Sequence, residues 1–106
     1  MEKPNLSYIN SLSAGDVTFK QKLIDIIKKE FPLEKDEYYK NLKDKNYKLV
    51  AENVHKLKHK ISILGLEESY EIAVEYENNL KEKNTKLEKE FESILKNITK
   101  YLNQMT

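Results

Sequence analysis

The sequence predicts an all-α protein: an antiparallel up-down four-helix bundle with a short additional N-terminal helix. Gly and Pro occur only twice each in 106 residues and 35% of residues are charged, a composition typical of helical proteins. Apolar residues recur at steps of three and four along four segments. Short turns join these segments, which makes neighbouring helices antiparallel. The length suits one domain, so we expect residues 1–106 to fold as a single unit.

The leading helix and the start of the first long helix are predicted from local signals. Residues 5–12 carry their apolar side chains on one side, which favours a short helix. Gly15 then supplies a permissive backbone, and Asp16 is a suitable N-cap residue. We therefore expect the first long helix to begin at Val17.

The first long helix is expected to continue to about Lys43. Pro32 lies within it, but the apolar residues beyond Pro32 keep a helical step, which favours a kink over an end. The predicted inner stripe of its first half is Phe19, Leu23, Ile26, Ile27 and Glu30, with Phe31 beside them.

The second long helix has the most regular pattern and follows a turn at residues 44–46. Its apolar residues follow steps of three, four, three, four and three, which predicts a core stripe. The members of this stripe are Tyr47, Val50, Val54, Leu57, Ile61 and Leu64. Gly65 fits the left-handed residue that commonly ends a helix.

Two further amphipathic helices complete the bundle, separated by a polar turn at residues 83–85. The inner face of the first is predicted to carry Leu66, Tyr70, Ala73, Glu77 and Leu80. The inner face of the last is predicted to carry Leu87, Phe91, Ile94, Ile98, Tyr101 and Met105.

Charge and cysteine content exclude several function classes. Nineteen basic and eighteen acidic residues leave a formal net charge of +1, so no broad basic surface for nucleic acid or an anionic membrane is expected. The chain has no Cys, which excludes disulfides, thiolate metal sites and a Cys nucleophile. No apolar run approaches a membrane span, and the N-terminus lacks a signal-peptide pattern. We therefore expect a cytoplasmic protein.

The only two histidines, His55 and His59, lie four residues apart on the second long helix. At about 100° per residue, both project away from the core stripe. The small residues Ala51 and Ser62 are predicted on the same exposed side, where they would let another molecule approach the imidazole. Lys58 is expected close enough to His55 to meet an anion held by the ring.

The residues around His55 resemble the signature of the histidine-containing phosphotransfer domain of two-component phosphorelays. In that family the His is followed by an apolar residue, a Lys and a Leu-Gly pair, as by Leu57, Lys58 and Leu64-Gly65 here. Other segments resemble further parts of the family pattern, so the resemblance extends from about Leu6 to Leu80. These segments are Gly15-Asp16-Val17-Thr18-Phe19, Phe31-Pro32 and Tyr76-Glu77-Asn78-Asn79-Leu80.

The resemblance implies a phosphoryl carrier without autokinase or nucleotide-binding activity. His55 would accept a phosphoryl group from the phospho-Asp of one receiver domain and pass it to the Asp of another, while Lys58 offsets its charge. The partners would be response-regulator receiver domains, which supply Mg²⁺, and a hybrid sensor histidine kinase. The chain would bind no cofactor of its own. A bundle beginning at Met1 favours a free-standing protein, and we expect a monomer.

Receiver docking is assigned to the surface around His55. Ala51, His59, Ser62 and Ile63 are its predicted members, and Ile63 is expected to project almost straight outward. His59 departs from the family pattern, because a Gly or another small residue usually follows the phosphorylated His by one turn. His59 therefore restricts which receiver domains can dock beside His55, or is itself a rival site of phosphorylation.

Two other functions are open from the residues alone. A His pair at i and i+4 is a usual two-ligand metal spacing, although no third His is present. A non-catalytic helical adaptor would bind a partner through exposed apolar residues and leave His55 without chemistry.

Overall fold

The computed structural model describes residues 2–105, and this part of the chain forms five helices. They are α1 (Ser7–Ser13), α2 (Val17–Lys43), α3 (Tyr47–Ile63), α4 (Glu67–Lys81) and α5 (Glu88–Asn103). Residues 2–105 contain no strand. The predicted all-α class is therefore confirmed. No helix in this range is both long and apolar enough to cross a membrane.

The helix boundaries agree with the capping signals in the sequence. The Asp16 carboxylate accepts a hydrogen bond from the backbone N–H of Phe19 at 3.0 Å, which caps α2. The Asn46 side chain accepts one from Leu49 at 3.3 Å and caps α3 in the same way. Such caps satisfy N–H groups that have no partner within the helix. α2 continues through Pro32 to Lys43, as predicted.

The helices pack in chain order, and the last returns to the first long one. α3 packs between α2 and α4, α5 contacts both α4 and α2, and α1 packs on α2. Asn41 pairs with Asn53, whereas Glu30 pairs with Lys60. Residue numbers therefore rise along α2 as they fall along α3, so these two helices are antiparallel. This arrangement is compatible with a four-helix bundle.

The core contains the predicted stripe of α3. Val50, Val54, Leu57, Ile61 and Leu64 are all buried, and Tyr47 is half-buried. Gly65 has a φ of +76° and follows the last turn of α3, as expected of the residue that ends a helix.

The predicted stripe of α2 is wrong at three positions. Phe19, Ile26 and Glu30 are exposed, and Ile24, which was not predicted, is buried. Ile27 and Phe31 are buried as predicted, and Leu23 is half-buried. The first half of α2 carries apolar residues on more than one side, so their spacing alone does not show which side meets the core. Packing against the other helices decides it.

On α4 and α5 the predicted faces are correct in part. Leu66, just before α4, and Ala73 and Leu80 within it are buried as predicted, while Tyr70 and Glu77 are half-buried. On α5, Phe91, Ile94 and Ile98 are buried as predicted, and Leu87, Tyr101 and Met105 are half-buried. Four further residues that were not predicted are also buried: Ser69, Tyr76, Leu95 and Leu102.

A buried polar pair joins α2 to α4 in the middle of the core. The hydroxyls of Tyr38 and Tyr76 lie 2.8 Å apart, within hydrogen-bond distance. Both rings pack edge-on or tilted against Phe91 of α5, with ring centroids 5.2 and 5.1 Å away. Burial raises the pKa of Tyr76 to about 12, and it raises the pKa of Tyr38 further. Both hydroxyls are therefore neutral at physiological pH and satisfy one another.

Candidate functional site

His55 lies near the middle of α3, on the side away from the core. Its side chain is 53% exposed, and His59, one turn later, is exposed as well. The two imidazole centroids lie 5.0 Å apart, with their planes at 75°. The prediction that neither histidine is in the core is confirmed.

One carboxylate, Glu77 of α4, holds both predicted site residues of α3. Its Oε1 accepts a hydrogen bond from Lys58 Nζ at 2.9 Å, and its Oε2 lies 3.2 Å from His55 Nδ1. Lys58 and Glu77 side chains are each only 13% exposed. The three groups form a Lys–carboxylate–His network that crosses from α3 to α4.

The charge on Glu77 determines how its hydrogen bond to His55 is made. Burial by itself would raise the pKa of Glu77, but the hydrogen bond and positive charge of Lys58, with a smaller effect from His55, lower it overall. The carboxyl group is therefore ionised at neutral pH and can only accept hydrogen bonds. His55 Nδ1 must carry the shared hydrogen, so the neutral ring keeps its lone pair on Nε2.

Lys58 is held in place by a second contact. Its ammonium group lies 5.9 Å from the centroid of the Tyr70 ring on α4, within the range of a cation–π interaction. The ammonium group therefore sits between a carboxylate and an aromatic face, beside His55.

Two of the predicted docking residues lie elsewhere than expected. Ala51 was predicted to be exposed but is buried, because α4 packs along that side of α3. Ile63 was predicted to project outward but is half-buried and packs against the core. The N-terminal segment meets this end of α3, where the Asn5 N–H donates to the Leu64 carbonyl at 2.8 Å. A prediction from the periodicity of α3 alone includes neither α4 nor the N-terminal segment.

The other docking residues, Ser62 and His59, are exposed as predicted. The sequence left open whether Glu77 meets a polar partner on the Lys58 side of the bundle or extends to solvent, and did not assign it to the site. Its signal in the sequence was a carboxylate on the inner face of the helix that follows the His-containing one. Only the packing of α4 on α3 shows that this carboxylate reaches both Lys58 and His55.

A wide surface depression opens beside His55, with a volume of about 1140 Å³. Its wall includes His55 and Glu77, the α2–α3 turn and the last turn of α4. Five lysines line it, Lys45, Lys48, Lys56, Lys81 and Lys83, together with four acidic residues, Glu37, Asp44, Glu52 and Glu77. The wall therefore carries charges of both signs.

A metal site at His55 and His59 would need a third ligand. Within residues 2–105 no three His, Cys, Asp or Glu side chains are grouped so that they could hold a metal ion. His55 Nδ1 already pairs with Glu77.

No protein-family model, curated protein or solved structure matches this chain.

Proposed function

We propose that this protein is a histidine phosphotransfer domain with the antiparallel four-helix-bundle fold. It relays a phosphoryl group between the phospho-Asp of one receiver domain and the Asp of another. The observation that supports this function best is the contact between His55 Nδ1 and the ionised Glu77, because it leaves Nε2 of an exposed imidazole as the nucleophile. Receiver domains and a hybrid sensor kinase are the proposed partners, and the cytoplasm is the proposed compartment.

The chemical step follows from this tautomer. The Nε2 lone pair of neutral His55 attacks phosphorus, a P–N bond forms, and the P–O bond to the receiver Asp breaks. The Asp carboxylate leaves with the electron pair, and the Nδ1 hydrogen stays on the ring. The phosphorylated ring is then cationic, and the Glu77 carboxylate beside Nδ1 stabilises that charge.

Lys58 acts on the same step from the other oxygen of Glu77. Its ammonium group has three N–H donors, and one of them is used on Oε1. The remaining donors offset negative charge on the phosphoryl oxygens as the group approaches His55. The receiver supplies Mg²⁺ and the acidic residues that hold it, so this chain provides half of the reaction centre.

The receiver is proposed to dock over the exposed part of α3. His59 and Ser62 follow His55 on that surface, and the depression lined by charged residues lies beside it. The imidazole of His59 occupies part of the approach and selects for receivers that leave space for it.

The test is phosphotransfer from a receiver domain that carries a labelled aspartyl phosphate, in the presence of Mg²⁺. We expect an acid-labile, alkali-stable label on the wild-type chain and none on His55→Gln. His59→Gln is the matched control, because it changes the neighbouring exposed imidazole and is expected to keep the label. Circular dichroism of each variant verifies the fold. A label that persists on His55→Gln would overturn the assignment.

Two further variants test the neighbouring residues. Lys58→Ala is expected to slow transfer without unfolding the protein, and His59→Gly is expected to leave transfer intact or speed it. If several receivers bind the folded protein but none transfers its label, the protein is instead a helical adaptor.

A further inference from the structure

α2 carries a line of exposed apolar side chains on a side that does not face the core. Phe19, Ile26 and Leu33 are 43%, 48% and 64% exposed, and they are seven residues apart. Seven residues are close to two turns of a helix and advance it by about 10 Å, so the three side chains follow one face. We refer to Phe19, Ile26 and Leu33 as the α2 stripe.

The first part of the α2 stripe lies beyond the end of α3. Lys60 of α3 contacts Glu30 and Glu34 of α2, and α3 ends three residues later at Ile63. Because the two helices are antiparallel, the part of α2 before about residue 26 extends past α3. The 27 residues of α2 span about 40 Å, close to the 44 Å longest dimension of the molecule. A long helix face is therefore accessible to a second helix.

The α2 stripe is symmetric about its central residue. Ile26 lies seven residues from both Phe19 and Leu33, so a two-fold axis through Ile26 places Phe19 of one copy on Leu33 of the other. We propose that the α2 stripe joins two copies of this chain as an antiparallel pair of α2 helices, with Ile26 packed on Ile26 at the axis. Such an interface uses the same patch on both copies and closes at two.

The charges beside the stripe select the antiparallel direction. Lys22 and Glu30 are both exposed and lie four residues on either side of Ile26. One oxygen of Glu30 contacts Lys60 of the same chain, but the Glu30 side chain stays 50% exposed. In the antiparallel pair, Lys22 of one copy is opposite Glu30 of the other, and this contact occurs twice. A parallel pair would place Lys22 opposite Lys22 and Glu30 opposite Glu30, which repel.

Charge is unevenly distributed along α2. Residues 17–29 have four lysines and one acidic residue, residues 30–37 have four acidic residues and one lysine, and Lys40 and Lys43 follow. In order, those of residues 17–37 are Lys20, Lys22, Asp25, Lys28 and Lys29, then Glu30, Glu34, Lys35, Asp36 and Glu37.

The area of the α2 stripe sets the strength of the pair. Each of its side chains exposes on the order of 100 Å² of apolar surface, so two copies bury about 600 Å² from the stripe and less than about 1,200 Å² in total. This is small for a specific interface, so the dimer is weak and forms in the micromolar range or above.

The proposed dimer and the His55 site use different helices. The stripe belongs to α2, whereas His55 and Lys58 of α3 reach Glu77 on α4. The proposal does not depend on phosphotransfer.

Sedimentation equilibrium from about 10 µM to about 1 mM tests the proposal, because it measures mass over the range expected of a weak dimer. We expect the wild-type mass to rise toward twice the monomer mass with concentration. Ile26→Glu puts two carboxylates at the axis and is expected to weaken the dimer at least tenfold. Val17→Glu is the matched control, since Val17 is an exposed apolar residue of the same helix, 77% exposed and away from the stripe; it is expected to dimerise like wild type.

A charge exchange tests the direction of the pair. Lys22→Glu and Glu30→Lys are each expected to weaken dimerisation, and the double variant is expected to restore it because the pairs between copies are exchanged. Glu30→Lys also removes the contact with Lys60 of the same chain, so the thermal midpoint of each variant is measured as a control for the fold. The chain contains no Cys, so Ile26→Cys should form a disulfide-linked dimer on mild oxidation, and Val17→Cys should not. A monomer mass at every concentration, or equal dimerisation of Ile26→Glu and wild type, would overturn the proposal.

Discussion

Glu77 of α4 accepts a hydrogen bond from Lys58 of α3 at 2.9 Å, and both side chains are largely withdrawn from solvent. The second oxygen of the same carboxylate faces His55. The ion pair therefore fixes the group that orients the imidazole. It connects the packing of α3 on α4 to the chemistry proposed for the site.

Glu77→Gln is expected to slow the proposed phosphotransfer to His55 by about 10- to 100-fold, the range found when the hydrogen-bond partner of a metal-bound His is removed. The amide has no negative charge to stabilise the cationic phosphorylated ring, and it does not enforce the Nδ1–H tautomer. Rates of label transfer from a phosphorylated receiver measure the effect. Glu75→Gln, an exposed neighbour on α4, is the control and should transfer at the wild-type rate.

The same carboxylate makes stability depend on acid pH. The pKa of Glu77 is lowered from its ordinary value of 4.5 in the folded protein. Between the two values the unfolded chain binds a proton that the folded protein does not, so stability falls with falling pH. At neutral pH we expect the free energy of unfolding of wild type to exceed that of Glu77→Gln by about 1 kcal/mol, because solvent still screens an ion pair close to the protein surface.

Urea unfolding of wild type and Glu77→Gln from neutral to acid pH measures this contribution. The difference should shrink as the pH falls below 4.5 and through the lowered pKa of Glu77. A difference that stays constant into strong acid would show that the ionised carboxylate does not stabilise the fold.

The buried Tyr38–Tyr76 pair is expected to show coupled effects on stability. Removing either hydroxyl leaves the other buried without a partner, which costs about 1–3 kcal/mol. Replacing both tyrosines with Phe removes that penalty. The free energy of unfolding should therefore fall less in the double variant than the sum of the decreases in the two single variants. Chemical unfolding of Tyr38→Phe, Tyr76→Phe and the double variant gives the coupling. Strictly additive losses would contradict a hydrogen bond between the hydroxyls.

The Tyr38–Tyr76 pair also makes the stability of the folded protein sensitive to alkaline pH. Tyr76 has its pKa raised to about 12 from the ordinary value of 10.0. Between these values the unfolded chain releases a proton that the folded protein keeps, so stability falls as the pH rises through this window. The urea midpoint of wild type is expected to fall between pH 10 and 12, and that of the double Phe variant to fall less. Phenolate absorbance should show the last tyrosines ionising together with unfolding.

Ala substitutions at the two glycines allow the cost of backbone strain to be measured apart from the cost of a steric clash. Both have positive φ, +88° at Gly15 and +76° at Gly65, so Ala at either position is strained by about 1 kcal/mol. A Cβ at Gly65 would also lie 2.5–2.8 Å from the Asn5 side chain, whereas a Cβ at Gly15 would contact nothing within 4 Å. The side-chain Oδ1 of Asn5 accepts a hydrogen bond from the Ser7 N–H at the start of α1, so displacing the Asn5 side chain also weakens the start of that helix.

Gly65→Ala is therefore expected to lower the thermal midpoint more than Gly15→Ala. Differential scanning calorimetry of the two variants compares them directly. Equal decreases in the thermal midpoint would mean that the Asn5 side chain moves away from residue 65 with no loss of stability.

The sequence by itself determined the helical class, the start and end of α2, and the core stripe of α3. These features depend on local signals, since Asp16 and Asn46 cap their own helices and Gly65 ends the helix before it. The regular step from Tyr47 to Leu64 allows only one inner face. The exposed position of His55 follows from that same step.

The tertiary structure alone decided which groups meet between helices. Phe19 and Ile26 continue an apolar pattern as well as Ile24 and Ile27 do, and only the positions of the neighbouring helices select the buried pair. Ala51 is buried because α4 covers it. The contact of Glu77 with His55 and Lys58 joins residues about twenty positions apart. It depends on the rotation of α4 against α3, which periodicity within one helix does not define.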